Sequence, residues 1–281
     1  MVPFELLEPH VVTSGAVFAS PHSGRDYPED LVSRTVLDRR ALRSSEDAFV
    51  DRLIADAPQL GAPLLLARTP RAYVDLNRSA DELDPAIVEG VRRVVHNPRV
   101  TSGLGVIPRV VANGRAIYRG KLSLAESRAR LQAHWEPYHD TLRGLLDRSR
   151  AAFGEAVLID CHSMPHEALE TGAARSADVV LGDRFGASAD ATIVDRIEAA
   201  FVAEGLRVAR NAPFAGAYIS QRYGRPAQGV HVVQVELDRA LYMDEARIEP
   251  LPRLPEVRAM MARVMARIVD GARPQMSVAA E

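Results

Sequence analysis

The stretch "AVLIDCHSMP", residues 156–165, joins a run of apolar residues directly to a cluster of ionisable and nucleophilic side chains. The apolar run is typical of a strand that is buried on both faces, as in the centre of a parallel sheet. Asp160, Cys161, His162 and Ser163 then fall at the carboxyl end of that strand. Because ligands of open α/β sheets bind outside the carboxyl ends of the strands, the stretch predicts an α/β fold with a site at this place.

Further apolar runs alternate with segments of helical periodicity, which indicates an α/β domain with a largely parallel sheet. The predicted strands are residues 16–20, 63–67, 72–76, 156–160, 178–182 and 230–237, with 206–210 as a weaker candidate. The predicted helices are residues 47–57, 123–150, 190–204 and 255–270. Pro137 is expected to kink or break the second helix. We predict one domain over residues 1–281, with a frayed tail at 272–281.

The composition excludes several classes of partner. With 47% hydrophobic residues and a net charge of −2, the chain has no overall attraction to nucleic acid. Its one cysteine excludes an internal disulfide and a cysteine-based zinc site. We see no signal-peptide pattern and no apolar run near the roughly 20 residues of a membrane span. The expected location is therefore the cytoplasm, without a membrane partner.

Residues 79–120 fit neither the helical nor the strand pattern and are rich in turn-forming residues. A long irregular segment in an α/β domain is often functional, and we interpret this one as a substrate-covering region. Residues 71–130 also hold ten arginines and Lys121 against six acidic residues. Either these arginines form a solvated surface, or some of them bind a carboxylate through their planar guanidinium groups.

Three predicted strands end in residues that carry chemistry. His22 follows the strand at 16–20, His162 follows the strand at 156–160, and Glu236 lies among valines near the end of the strand at 230–237. Each histidine by itself is compatible with a structural role. A buried carboxylate such as Glu236, however, needs a partner, a metal or a raised pKa. Together the three strand ends predict one shared site.

Nucleophilic catalysis is the weaker interpretation of this site. Adjacent strand residues point to opposite faces, so Cys161 is expected to face away from His162 and to pack as a small apolar residue. Ser23 and Ser163 lack the Gly-x-Ser-x-Gly pattern of serine hydrolases. Asp160 shares a face with His162, where it either orients the imidazole or caps the strand end.

Two histidines and one carboxylate form the ligand set of catalytic zinc sites that keep a position open for water. The position three residues after His22 is Arg25, so the acidic ligand must come from elsewhere. The candidates are Asp26, Glu46 and Asp47, and we favour Asp47.

Several stretches between residues 16 and 245 resemble the N-formylglutamate amidohydrolase family, which is similar in fold to zinc carboxypeptidases. They are "ASPHSGRDYP", "EDAFVDRL", "YVDLNRS", "IYRGKLS", "LIDCHSMP", "VVLGDRFG", "NAPFAGAYISQRYGRP" and "VQVELDRALYMDE". The resemblance implies a three-layer α/β/α fold with a mixed, largely parallel sheet. It implies that His22 and His162 bind one Zn²⁺ or another divalent ion, with Asp47 replacing the missing acid.

The resemblance also implies roles for the remaining site residues. Glu236 is expected to be the catalytic carboxylate, Asn77 and Arg78 to bind a substrate carboxylate, and Arg119 to polarise a carbonyl or hold a second carboxylate. Arg222 is a further candidate for substrate binding. The implied reaction cleaves the N-acyl bond of a small acidic N-acyl amino acid, first of all N-formyl-L-glutamate to formate and glutamate, as in histidine degradation.

Two alternatives remain open from the sequence. One is a related zinc hydrolase acting on a different N-acyl or C-terminal amino acid. The other is a metal-binding or ligand-binding relative without catalysis. The oligomeric state does not follow from the sequence.

Overall fold

The computed structural model describes residues 2–91, 97–170 and 177–273. Within them, seven strands form one sheet in the order β1-β3-β2-β4-β7-β5-β6. The pairs β1–β3 and β5–β7 are antiparallel and the other four pairs are parallel, which confirms the mixed, largely parallel sheet. The strands are β1 Phe4–Leu7, β2 Ala16–Ser20, β3 Leu64–Ala67, β4 Ala156–Met164, β5 Val179–Gly182, β6 Val208–Arg210 and β7 Val230–Asp238.

Helices cover both faces of this sheet. They are α1 Glu29–Val32, α2 Arg39–Arg43, α3 Val50–Leu53, α4 Pro98–Thr101, α5 Leu124–Arg130, α6 Glu136–Phe153, α7 Ala191–Val202, α8 Tyr218–Tyr223 and α9 Leu254–Gly271. One apolar core lies between the sheet and α3, α7 and α9, and the other lies between the sheet and α6 with α8. Alternate residues of the central strands enter opposite cores, so the three-layer α/β/α prediction is confirmed.

A two-stranded hairpin, β8 Met243–Asp244 with β9 Glu249–Pro250, lies outside the main sheet. None of the described helices combines the length and the apolar character needed to cross a membrane. Two expectations fall partly outside the described residues: the covering region at 92–96 and the frayed tail from 274 onward.

The predicted strand at 72–76 is wrong, because this segment forms turns. The Tyr73 N–H donates to Pro70 O at 2.9 Å, and the Asp75 N–H donates to Val106 O at 2.8 Å. The apolar residues of the segment are buried, but they pack in the core instead of pairing in the sheet. The sequence analysis also missed the edge strand β1.

The helix predicted at 47–57 is reduced to the four residues of α3. Phe49 has a φ of 68°, in the left-handed region that bulky residues rarely adopt, so helical backbone starts only after it. Asp47 therefore precedes the helix in a turn, where its N–H donates to His22 O at 3.0 Å. This turn holds Asp47 beside the end of β2, and backbone strain of this kind is often found at functional sites.

The helix predicted at 123–150 is not broken at Pro137. A π-helical turn, Leu131–Trp135, joins α5 to α6. Pro137 lies in the first turn of α6, beside the wider turn that accommodates its missing N–H. Such π-helical turns are frequent near functional sites.

Candidate active site

A cavity of about 540 Å³ opens at the carboxyl ends of β2, β4 and β7. His162 in β4 lies directly opposite Glu236 in the parallel strand β7, and His22 follows β2 by two residues. Six of the residues that the sequence predicted for the site line this cavity: His22, Asp47, Asn77, Arg78, His162 and Glu236. The strand ends therefore meet at one place, as expected for an α/β sheet.

His22, Asp47 and His162 form a buried group that can hold a metal ion, with one potential ligand atom from each residue lying within 4.8 Å of the others. Asp47 Oδ2 is 2.9 Å from His162 Nδ1 and 3.5 Å from His22 Nδ1. Burial acts to raise the pKa of Asp47, but its interactions with His162 and His22 outweigh this effect and hold that pKa well below its usual range. Asp47 is therefore a carboxylate at neutral pH.

A second carboxylate orients His22. His22 Nε2 lies 2.7 Å from Asp75 Oδ1, and Arg71 donates to Asp75 Oδ2 at 2.8 Å. Despite the burial of Asp75, the charges of Arg71 and His22 hold its pKa well below the usual range. With Nε2 engaged, His22 Nδ1 faces Asp47 and has no hydrogen-bond partner among the described residues.

His162 and Asp47 have further partners of their own. Asp160 Oδ2 lies 3.1 Å from His162 Nε2, on the same face of β4, but neither oxygen of Asp160 makes a hydrogen bond among the described residues. Arg239 donates to Asp47 Oδ1 at 3.1 Å and to the Glu46 carbonyl at 2.8 Å. Arg239 thus holds the Asp47 carboxylate and the backbone next to it in place.

The donor set fits a divalent ion such as zinc. Two imidazole nitrogens and one carboxylate are three ligands of catalytic zinc sites. The unpartnered buried Nδ1 of His22 is the position where a ligand atom would satisfy its lone pair. His22 also has a carboxylate hydrogen-bonded at its other nitrogen, as metal-binding histidines usually do, and Asp160 lies near the other nitrogen of His162.

Of the three acids considered for this site, Asp47 is the one that lies with the histidines. Asp26 pairs with Arg68 through a 2.7 Å contact near the surface. Glu46 accepts hydrogen bonds from Tyr27 and Arg43, and its carboxylate lies outside the cavity lining.

Glu236 is buried in the cavity wall opposite His162. Its Oε1 accepts a hydrogen bond of 2.9 Å from Gln234 Nε2. Burial raises the pKa of Glu236 to about 7, with the charge of His162 opposing this effect and that of Asp47 adding to it. A carboxyl group with a pKa near the working pH is suited to accept and return a proton.

Asn77 is fixed by its backbone and by its side chain. Its N–H donates to Asp75 Oδ1 at 2.9 Å, and its Oδ1 accepts from the Ile219 N–H at 2.8 Å. These contacts direct Nδ2 towards His162, 3.2 Å from Nε2. The amide therefore projects into the cavity next to the proposed ligand group.

Arg78 is buried, and among the described residues its side chain donates to backbone carbonyls alone. It donates to Leu104 O at 3.0 Å and to Asn77 O at 2.7 Å. No carboxylate of the described residues forms an ion pair with it. Since a buried charge needs a partner, the guanidinium is suited to bind the carboxylate of a ligand.

The π-helical turn Leu131–Trp135 helps to hold the Asn77–Arg78 pair. Trp135 Nε1 donates to Arg78 O at 2.9 Å, and His139 Nε2 lies 2.9 Å from Leu76 O. The two rings also pack together, with centroids 4.0 Å apart. Two side chains of one helical segment therefore fix the backbone on both sides of Asn77.

Residues 14–243 match the sequence model of the N-formylglutamate amidohydrolase family. The chain belongs to this family. It is 36% identical to an N-formylglutamate deformylase from Pseudomonas aeruginosa and 32% identical to one from Pseudomonas putida, each over 82% of both chains. It is also similar to the crystal structure of an N-formylglutamate amidohydrolase from Ralstonia eutropha JMP134, with a TM-score of 0.91, 33% identity and coverage of 97% of this chain and 99% of the other.

In this member of the N-formylglutamate amidohydrolase family, Arg119 and Arg222 are exposed and lie outside the cavity lining. The roles predicted for them therefore have no support from their placement. Cys161 is buried in the apolar core behind the sheet, as expected from the alternation of side chains along β4. Burial also raises the pKa of its thiol, which keeps it protonated and unreactive.

The sequence analysis of this family member missed three residues of the site: Arg71, Asp75 and Arg239. Asp75 stands two residues before Asn77 in "YVDLNRS", but the predicted strand concealed its role. Arg239 follows β7 directly, and the ionisable run "ELDR" was a signal for it. Arg71 gave no separate signal among the neighbouring arginines.

Proposed function

We propose that this chain is a metal-dependent amidohydrolase that cleaves N-formyl-L-glutamate into formate and L-glutamate. The observation that carries the proposal is the meeting of a three-residue ligand group, a buried glutamate and an unpaired buried arginine in one cavity. The names of the relatives from both Pseudomonas species and from Ralstonia eutropha support the same substrate.

The ligand group His22, Asp47 and His162 would hold one divalent ion, for which zinc is our first choice. When bound there, such an ion supplies a Lewis acid that polarises a carbonyl and acidifies water. Asp75 keeps the His22 imidazole in place through its contact with Nε2, and Asp160 lies beside the His162 ring.

Glu236 performs the proton transfers in this proposal. Its pKa of about 7 lets it take a proton from water during attack on the formyl carbon. The same carboxyl group then returns the proton to the amine that leaves. Gln234 holds one of its oxygens through the 2.9 Å hydrogen bond, which limits the rotation of the carboxyl group.

Arg78 and Asn77 position the substrate in this proposal. The Arg78 guanidinium binds a carboxylate of the amino acid, and the fixed Asn77 amide adds a neutral donor next to it. Holding the substrate in one orientation places the formyl carbon near Glu236 and lowers the entropic part of the barrier.

The contacts of Trp135 and His139 with the backbone on both sides of Asn77 give a first prediction. Trp135→Phe keeps an aromatic ring on His139 but removes the Nε1–H that donates to Arg78 O. We expect the KM for N-formyl-L-glutamate to rise about 2- to 10-fold, the range of one neutral hydrogen bond, with a smaller change in kcat. Steady-state kinetics with thermal unfolding as a control measures this. If the variant instead loses kcat and thermal stability while its KM is unchanged, Trp135 has a packing role only.

A substrate panel tests the proposed function. The purified, zinc-loaded protein is assayed for release of formate from N-formyl-L-glutamate, with N-acetyl-L-glutamate and other N-formyl amino acids in parallel. We expect the highest kcat/KM for N-formyl-L-glutamate. Turnover of another N-acyl amino acid in its place would favour a related hydrolase with a different substrate. Ligand binding without any turnover would point to a non-catalytic relative.

A further inference from the structure

We propose that Arg99, in the irregular segment 79–120, binds the side-chain carboxylate of the substrate and so selects for acidic N-formyl amino acids. This inference rests on the proposed function, and it assigns the second carboxylate site, which the sequence had predicted for Arg119. Arg99 lies in α4 and is exposed to solvent, but unlike Arg119 it lines the cavity.

The arginines of the cavity differ in whether an acid already neutralises them. Among the described residues, four arginines line it: Arg71, Arg78, Arg99 and Arg239. Arg71 is paired with Asp75 at 2.8 Å, and Arg239 is paired with Asp47 at 3.1 Å. Within the described parts of the chain, Arg78 and Arg99 form no ion pair. Two uncompensated guanidinium groups match the two carboxylates of glutamate.

Hydrogen bonds fix the backbone of Arg99 relative to the Arg78 side chain. Asn97 caps α4 and accepts from the Arg99 N–H at 3.0 Å. Arg99 O accepts from the Leu104 N–H at 2.8 Å, and Leu104 O accepts from Arg78 Nε at 3.0 Å. Leu104 thus links the Arg99 backbone to the Arg78 side chain, so both arginines are held at the same end of the cavity.

The far end of α4 is held by a different arginine. Arg109 donates to Thr101 O at 3.2 Å and pairs with Asp84 at 2.9 Å. Arg109 therefore supports the segment 79–120. Among the described residues of this segment that follow Arg78, Arg99 is the cation that lines the cavity without an ion pair.

The two free arginines also influence each other. Burial lowers the pKa of Arg78; the charge of Asp75 opposes this, and the charges of Arg71 and Arg99 lower the pKa further. Like charges at one cavity are unfavourable when they lack counterions. A dianionic ligand bridging Arg78 and Arg99 would relieve this repulsion, whereas a ligand with one carboxylate would leave one of them unpaired.

The test compares N-formyl-L-glutamate with N-formyl-L-glutamine, which has nearly the same shape but a neutral side chain. In Arg99→Gln we expect kcat/KM for the glutamate substrate to fall about 10- to 100-fold, as for loss of a charged hydrogen bond. The value for the glutamine substrate should change less than about 3-fold, since no ion pair is lost. Arg115→Gln is the matched control, because Arg115 is an exposed arginine of the same segment outside the cavity lining.

Equilibrium binding separates this inference from the proposed function. Calorimetry measures the affinities of L-glutamate and L-glutamine for the zinc-loaded wild-type and Arg99→Gln proteins. We expect the preference for L-glutamate to disappear in Arg99→Gln and to persist in Arg115→Gln. If the wild type hydrolyses neither formyl amino acid, the proposed function fails, and the binding preference decides the role of Arg99 by itself. Equal losses for both substrates and both ligands, or an unchanged preference, would overturn the role of Arg99.

Discussion

Glu236→Gln should retain bound metal and native stability but lose about 10²- to 10⁴-fold in kcat on N-formyl-L-glutamate. Glutamine has the shape of glutamate and can still accept the hydrogen bond from Gln234, so the packing around it is preserved. It cannot accept and return a proton, and the carboxyl groups of Asp47 and Asp75 in the same site are already engaged by the histidines. The loss should therefore appear in kcat more than in KM.

The measurement combines steady-state kinetics with elemental analysis of the metal and thermal unfolding. The metal content controls for damage to the ligand group, and the unfolding temperature controls for the folded state. A variant with near-wild-type kcat would remove Glu236 from the mechanism, because no proton carrier would then have been lost.

Loss of the metal site is the second large effect that we expect. His22→Ala removes one of the three predicted ligands, and kcat/KM should fall by at least about 1000-fold together with the bound metal, since several kcal/mol of transition-state stabilisation would be lost. Treatment of the wild type with a chelator should have the same effect, and added Zn²⁺ should restore activity to the wild type but not to the variant.

A graded variant distinguishes a ligand from the residue behind it. Asp75→Asn keeps His22 but weakens the contact at its Nε2, so the metal affinity should fall by about 10- to 100-fold and excess Zn²⁺ should rescue activity. Metal titrations of both variants measure the difference. Stoichiometric metal and full turnover in His22→Ala would refute the proposed ligand group.

The sequence predicted the central strands because runs of apolar residues with both faces buried have few alternatives in an α/β domain. It also located His22, His162 and Glu236 at strand ends that meet at one edge of the sheet. The family resemblance then added Asn77 and Arg78, which lie in the same cavity.

The prediction from sequence was wrong where a buried segment does not pair with the sheet as a strand. Ala72, Tyr73 and Val74 are buried, but they pack in turns instead of forming a strand. An apolar run in the sequence has the same pattern in a buried strand and in a buried turn. At Phe49, the left-handed backbone delays the start of the predicted helix from residue 47 to Val50, and no local residue preference indicates it.

The positions of the central strands along the chain, the placement of the two histidines after strands and the burial of Glu236 followed from the sequence itself, since apolar patterning dictates which segments are buried, whereas the order of the strands in the sheet came from the structure. Only the tertiary structure decided which arginines are free. Arg71, Arg109 and Arg239 are neutralised by acids that follow or precede them by up to 192 residues along the chain, whereas Arg78 and Arg99 have no such partner among the described residues. The physical reason is that an ion pair depends on distance in space, so a count of arginines along the chain cannot distinguish a satisfied charge from one that is available to a substrate.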